Sequence, residues 1–151
     1  MKLWQLFVVG AVVCWGLYVP TIHAGQVALN KAALRAFLCV GFAYFLTAVL
    51  APGGMLAAGM ESGKTFTQNG VLLSILAGVF GAGGALCVIL SLKNGGSPLY
   101  VAPLVFAGAP LVNVIASMAM HPPKGAISPM LYVGFLMAAG GAGLVLYFKP
   151  A

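Results

Sequence analysis

Apolar residues fill five long runs, Leu3 to Pro20, Ala33 to Ala51, Gly70 to Leu92, Pro98 to Met120 and Pro129 to Phe148, with the polar residues gathered between them. A helix needs about 20 mostly apolar residues to cross the hydrocarbon core of a bilayer. The segments between the runs are rich in Gly, Pro, Asn and Lys, which punctuate helices. The pattern predicts an all-α transmembrane fold, a bundle of five membrane-spanning helices in a single domain over residues 1–151.

Position within each run carries further information. In the third run Ala77, Gly81 and Ala85 recur every four residues, with Gly78 and Ala82 on the adjoining ridge. The fifth run repeats the device with Gly134, Ala138 and Ala142 and adds Gly140, Gly141 and Gly143. Small residues at this spacing let a neighbouring backbone approach closely. Ala77, Gly78, Gly81, Ala85 and Gly134 are therefore expected to pack helices, with a mobile seam as the alternative.

The fourth run is the most informative. Pro103, Phe106, Pro110, Asn113 and Ser117 recur at helical spacing and share one stripe. Interior prolines free carbonyls that lipid cannot satisfy, so such a face is expected to turn toward protein or a water-filled cavity. An interhelical hydrogen bond from Asn113 is the competing reading. In the first run, Trp15 and Tyr18 are three apart and so neighbours on one face. Tyr18, beside Pro20, suits an interfacial aromatic belt, whereas Trp15, a turn deeper, is the better candidate for a cavity wall.

The first run also admits a signal-peptide reading, with Lys2, an apolar stretch and cleavage after Ala24. Four further spans favour its retention as the first helix. His23 and His121 are expected in loops just beyond the first and fourth runs. Neither has a carboxylate neighbour in sequence that would make it a proton relay. Arg35, near the start of the second run, is expected to snorkel to the interface, with an anionic partner as the alternative.

Composition sharpens the membrane reading: the 151 residues are 62% hydrophobic and only 5% charged, against roughly 25% in an ordinary soluble domain. Seven Lys and Arg against the single acid Glu61 give a net charge of +6. These cations stand singly near the ends of apolar runs, where they anchor and orient helices, and form no nucleic-acid face. Cys14, Cys39 and Cys87 each lie inside an apolar run without metal-ligand spacing, and read as small core residues. With no Asp, one Glu and two His, the chain offers neither an acid/base pair nor a metal site, and neither enzyme activity nor a cofactor is expected.

The stretch "AGMESGKT", Ala58 to Thr65, fits a loose phosphate-loop pattern. Its flanks argue against nucleotide binding. An apolar helix running into a turn at Pro52-Gly53-Gly54 precedes it, and a break at Asn69-Gly70 follows, where a phosphate loop needs a strand before and a helix directly after. A hydrophilic loop between spans is the expectation.

Taken in order, Trp15-Gly16, "ALRAFL" from Ala33 to Leu38, the glycine-rich third run, "SLKNGGSPLYVAPL" and "GFLMAAGGAGLVLYF" make the chain resemble one five-helix half of the drug/metabolite transporter superfamily, EamA type. The resemblance covers nearly the whole chain. It implies a multi-pass plasma- or inner-membrane protein in which two halves of inverted orientation enclose a substrate cavity and work by alternating access. It implies that Pro103, Pro110, Asn113 and the glycines of the third run stand at the cavity wall, and with the aromatic and stripe positions above the expected substrate-binding residues are Trp15, Pro103, Phe106, Pro110, Asn113 and Ser117. The chain departs from the family where Gly-Glu commonly follows the fourth helix, reading "MHPPKGAISP" instead. It also supplies only one half.

Two copies inserted oppositely would supply the other as an antiparallel homodimer of ten helices. With five spans, Lys2, Lys64 and Lys124 share one side, against Lys31, Arg35, Lys93 and Lys149 on the other, a bias too small to fix one orientation. Expected partners are thus lipid, a small-molecule substrate and a second copy. No run contains Asp or Glu, so facilitated diffusion is expected over carboxylate-coupled proton exchange. The four-helix small multidrug exporters are similar in size but depend on a first-helix glutamate that is missing here. A non-transporting membrane subunit or scaffold, pairing through the glycine faces with another polytopic protein, is the rival reading.

Overall fold

The computed structural model describes residues 2–60, 66–123, 125 and 128–149. Among these there is no strand. The elements are α1 (Leu3–Ala28), α2 (Ala33–Tyr44), a π-helical segment (Phe45–Leu50), α3 (Ala51–Ala57), α4 (Gln68–Lys93), α5 (Pro98–Met120) and α6 (Pro129–Tyr147). Because α2, the π segment and α3 run on without a break, they form one span, Ala33–Ala57. Five helices are then long and apolar enough to cross a membrane.

Helix α1 does not end at Pro20, as its apolar run suggests, but continues two turns further to Ala28. A proline removes one backbone donor, and the intact turns on either side carry the helix through. His23 consequently lies inside α1, half-buried, rather than in a loop. The helix stops where Asn30 takes a left-handed conformation, φ 56°. The Lys31 N–H then donates to the Gln26 carbonyl at 2.7 Å and the Asn30 N–H to that of Val27 at 3.1 Å, a closure that satisfies the last carbonyls.

The second span likewise passes through the expected Pro52-Gly53-Gly54 turn, which is the first turn of α3. The Ala51 N–H reaches back five residues to the Leu46 carbonyl, the π register. Pro52 supplies the reason: its ring would collide with the carbonyl four residues earlier, and the wider turn makes room. The Thr47 hydroxyl donates to the Ala43 carbonyl at 2.8 Å, so a side chain also enters the backbone ladder here. Replacing Pro52 with Ala is expected to restore α register over Phe45–Leu50. Amide hydrogen exchange of these residues in nanodiscs should slow by roughly tenfold or more. Unchanged exchange would show that Pro52 is not the cause.

At the start of α4, Asn69-Gly70 is not a break but part of the first turn. Thr67 caps it, its hydroxyl accepting from the Gly70 N–H at 3.3 Å. A side chain at Gly70 would meet that hydroxyl at 2.8 Å, which explains the glycine. Helix α5 spans Pro98–Met120 as its run predicts, with Ser97 capping and Pro98 in the first turn. His121 follows its last residue.

Packing divides the chain into two compact units, one formed by Met1–Val19 and Gly96–Ala151, the other by Pro20–Gly95. In the first, α5 packs along α6; in the second, α2 lies against α4. The core of the second unit includes Ala33 and Ala36 of α2 and Ala85, Val88, Ile89 and Leu92 of α4. Alanine at these helix faces permits close approach. Gln26 of α1 is also buried, and its Nε2 donates to the Ile89 carbonyl at 2.9 Å.

Candidate functional site

Helix α5 is two-faced. Its half-buried positions include Leu104, Ala107, Leu111, Val114 and Met118, a purely apolar stripe at helical spacing. The stripe of Pro103, Phe106, Pro110, Asn113 and Ser117 lies on a different face, and every one of these residues is exposed. Thus α5 half-buries one apolar stripe and leaves open both the proline- and amide-bearing stripe and apolar Val112, Ile115 and Met120.

The prolines make that face more polar than its side chains suggest. Pro103 cannot donate to the carbonyl of Leu99, nor Pro110 to that of Phe106. Both freed carbonyls belong to residues on the stripe, since Leu99, Pro103, Phe106 and Pro110 follow one another at four, three and four residues. Two backbone acceptors therefore lie on the side of the helix that, further along, carries Asn113 and Ser117.

Trp15 of α1 adds an aromatic wall. Its ring meets Phe106 edge-on, centroids 6.5 Å apart and planes at 76°, and meets Tyr18 at 5.7 Å and 63°. Such T-shaped pairs fix ring orientation by the attraction of edge for face. Two of the six expected binding residues, Trp15 and Phe106, are thereby in contact, while Trp15 remains 45% exposed. Tyr18, expected in an interfacial belt, is half-buried in this aromatic chain.

The expected packing residues divide. Ala85 is buried at 2% exposure, whereas Ala77, Gly78, Gly81 and Gly134 are exposed. A Cβ built on any of these three glycines would find no atom within 4 Å, so their faces are open within the chain. On α6 the half-buried positions include Ala138 and Ala142, the other two small residues of that stripe, with Phe135 and Val145.

Sequence reading missed Gln26. Its place beyond Pro20 hid it: it lies seven residues, two turns, from Val19, which is 1% exposed, and so shares the buried face of α1. Cys14, Cys39 and Cys87 are free thiols, exposed rather than in the core as expected. Among the described residues no group of His, Cys, Asp and Glu gathers in a metal-binding cluster. Of the phosphate-loop stretch, residues 61–65 lie outside the described residues, but what precedes it is α3, a helix rather than a strand. No family model, curated protein or solved structure matches the chain.

Proposed function

We propose that the chain is a small-metabolite transporter of the drug/metabolite type in a plasma or inner membrane. It works by alternating access as an antiparallel homodimer whose two five-helix halves enclose a central cavity. The observation that carries this reading is the open face of α5. Freed carbonyls, an amide and a hydroxyl on an exposed face of an apolar helix cannot be left to lipid, where each unsatisfied group costs several kcal/mol. A cavity wall satisfies them with water or substrate, and a second copy supplies the opposite wall.

In this reading Trp15, Pro103, Phe106, Pro110, Asn113 and Ser117 line the solute path. The open glycine faces of α4 and α6 offer surfaces on which the copies pack and slide. No Asp or Glu occurs in any of the five spans, which favours facilitated diffusion.

Paired reporters fused to the C-terminus, each active on only one side of the membrane, test the arrangement. Comparable signals from both sides are expected in living cells, because the charge bias is three against four. Signal from one side alone would overturn the homodimer. The same open glycines also suit a scaffold for a different polytopic protein, a reading that stoichiometric co-purification of such a partner would favour.

A further inference from the structure

We infer that the solute taken up by the α5 face is non-anionic and rich in hydrogen-bond donors, a polyhydroxylated or amine-bearing molecule. This deepens the transport reading and rests on it. The Leu99 and Phe106 carbonyls, deprived of their donors by Pro103 and Pro110, are acceptors only. Asn113 and Ser117 both accept and donate. The rings of Trp15 and Phe106 add electron-rich faces, which attract cations and repel anions.

The helices that carry these acceptors and rings hold no fixed positive charge among the described residues. Residues 3–19 of α1, all of α5 and all of α6 contain neither Lys nor Arg. The cation recorded close to an α5 ring is Lys149, past the end of α6, whose Nζ stands 5.4 Å from the centroid of Tyr100. Tyr100 is six residues, about 9 Å along the axis, from Phe106, so Lys149 marks one end of α5 rather than its middle. An anion on the α5 stripe would lose its hydration and meet carbonyl oxygens and ring faces, an uncompensated cost. Hydroxyl or ammonium donors would instead complete the carbonyls that the prolines leave open.

Three probes on a common six-carbon polyol chain that differ in charge at one end, sorbitol, N-methylglucamine and gluconate, separate the possibilities. The full chain carrying Trp4→Phe leaves Trp15 as its one tryptophan, a fluorescence reporter on the site itself. Sorbitol, N-methylglucamine or both are expected to shift Trp15 emission saturably, and to bind at least tenfold more tightly than gluconate. Which of the two binds better identifies hydroxyl or ammonium as the favoured donor. Adding Asn113→Leu is expected to weaken that binding by roughly tenfold, the worth of one good hydrogen bond. Tightest binding by gluconate, or no response to any of the three, would overturn the inference. Flux into proteoliposomes is a separate readout: binding without flux would sink the transport reading and leave the binding chemistry standing.

Discussion

Replacing Gln26 with Glu is expected to cost about 3–5 kcal/mol of stability, the penalty of leaving a buried charge without a partner. Gln26 is 3% exposed and its Nε2 donates to the Ile89 carbonyl at 2.9 Å. That bond also fixes the orientation of the amide, since only its nitrogen can donate to a carbonyl. A carboxylate would set oxygen against oxygen at this position. Replacement by Leu should differ sharply, because the wild-type amide is itself imperfectly satisfied: its Oε1 is buried with no partner. Leu forfeits one hydrogen bond worth about 0.5–1.5 kcal/mol and removes an orphaned acceptor that costs about 1–3 kcal/mol. The net expectation runs from a loss of about 0.5 kcal/mol to a gain of about 2.5 kcal/mol relative to wild type. Reversible unfolding in mixed micelles measures both variants. Equal destabilisation by Glu and Leu would mean that the Ile89 bond, not the electrostatics of burial, sets the stability of this core.

Gln26 also shows which parts of the structure were legible in the sequence. Hydropathy located all five spans, because the bilayer demands long apolar runs whatever the packing. The apolar run from Pro98 to Met120 matched α5 to the residue, and the structure adds the Ser97 cap. Where the sequence misled, the cause was punctuation read as termination. Pro20, Pro52-Gly53-Gly54 and Asn69-Gly70 all lie within helices, since a lost donor in a membrane helix is absorbed by a wider turn or by the turns around it. The polar tail after Pro20 therefore hid a buried residue. At the candidate site, periodicity gathered Pro103 through Ser117 correctly onto one stripe, because helical spacing fixes that relation. The contact between Trp15 and Phe106 joins residues 91 apart in sequence, and no local rule reaches that far. Nor does spacing reveal which small residues meet a neighbour: Ala85 does, while Gly81 on the same ridge does not.

If two opposite insertions are needed for one cavity, forcing all copies into a single orientation should abolish flux, and mixing the two forced forms should restore it. Combining Lys31→Gln, Lys93→Gln and Gly125→Lys leaves Lys2, Lys64, Lys124 and the new lysine against Arg35 and Lys149. Combining Lys64→Gln with Lys124→Gln leaves Lys2 against Lys31, Arg35, Lys93 and Lys149. The more basic side stays cytoplasmic, so the two variants are driven to opposite topologies. C-terminal reporters should show each on one side only, and vesicles from cells expressing either alone should carry a permeant solute at background rate. Co-expression should return flux toward the wild-type level, since each cavity then has one half of either orientation. None of the changed residues belongs to α5 or to the first helix that carries Trp15, and loss followed by rescue cannot come from damage to the binding face. Full flux from one variant alone would show that a single orientation suffices. The open face of α5 would then be covered by something other than an inverted copy.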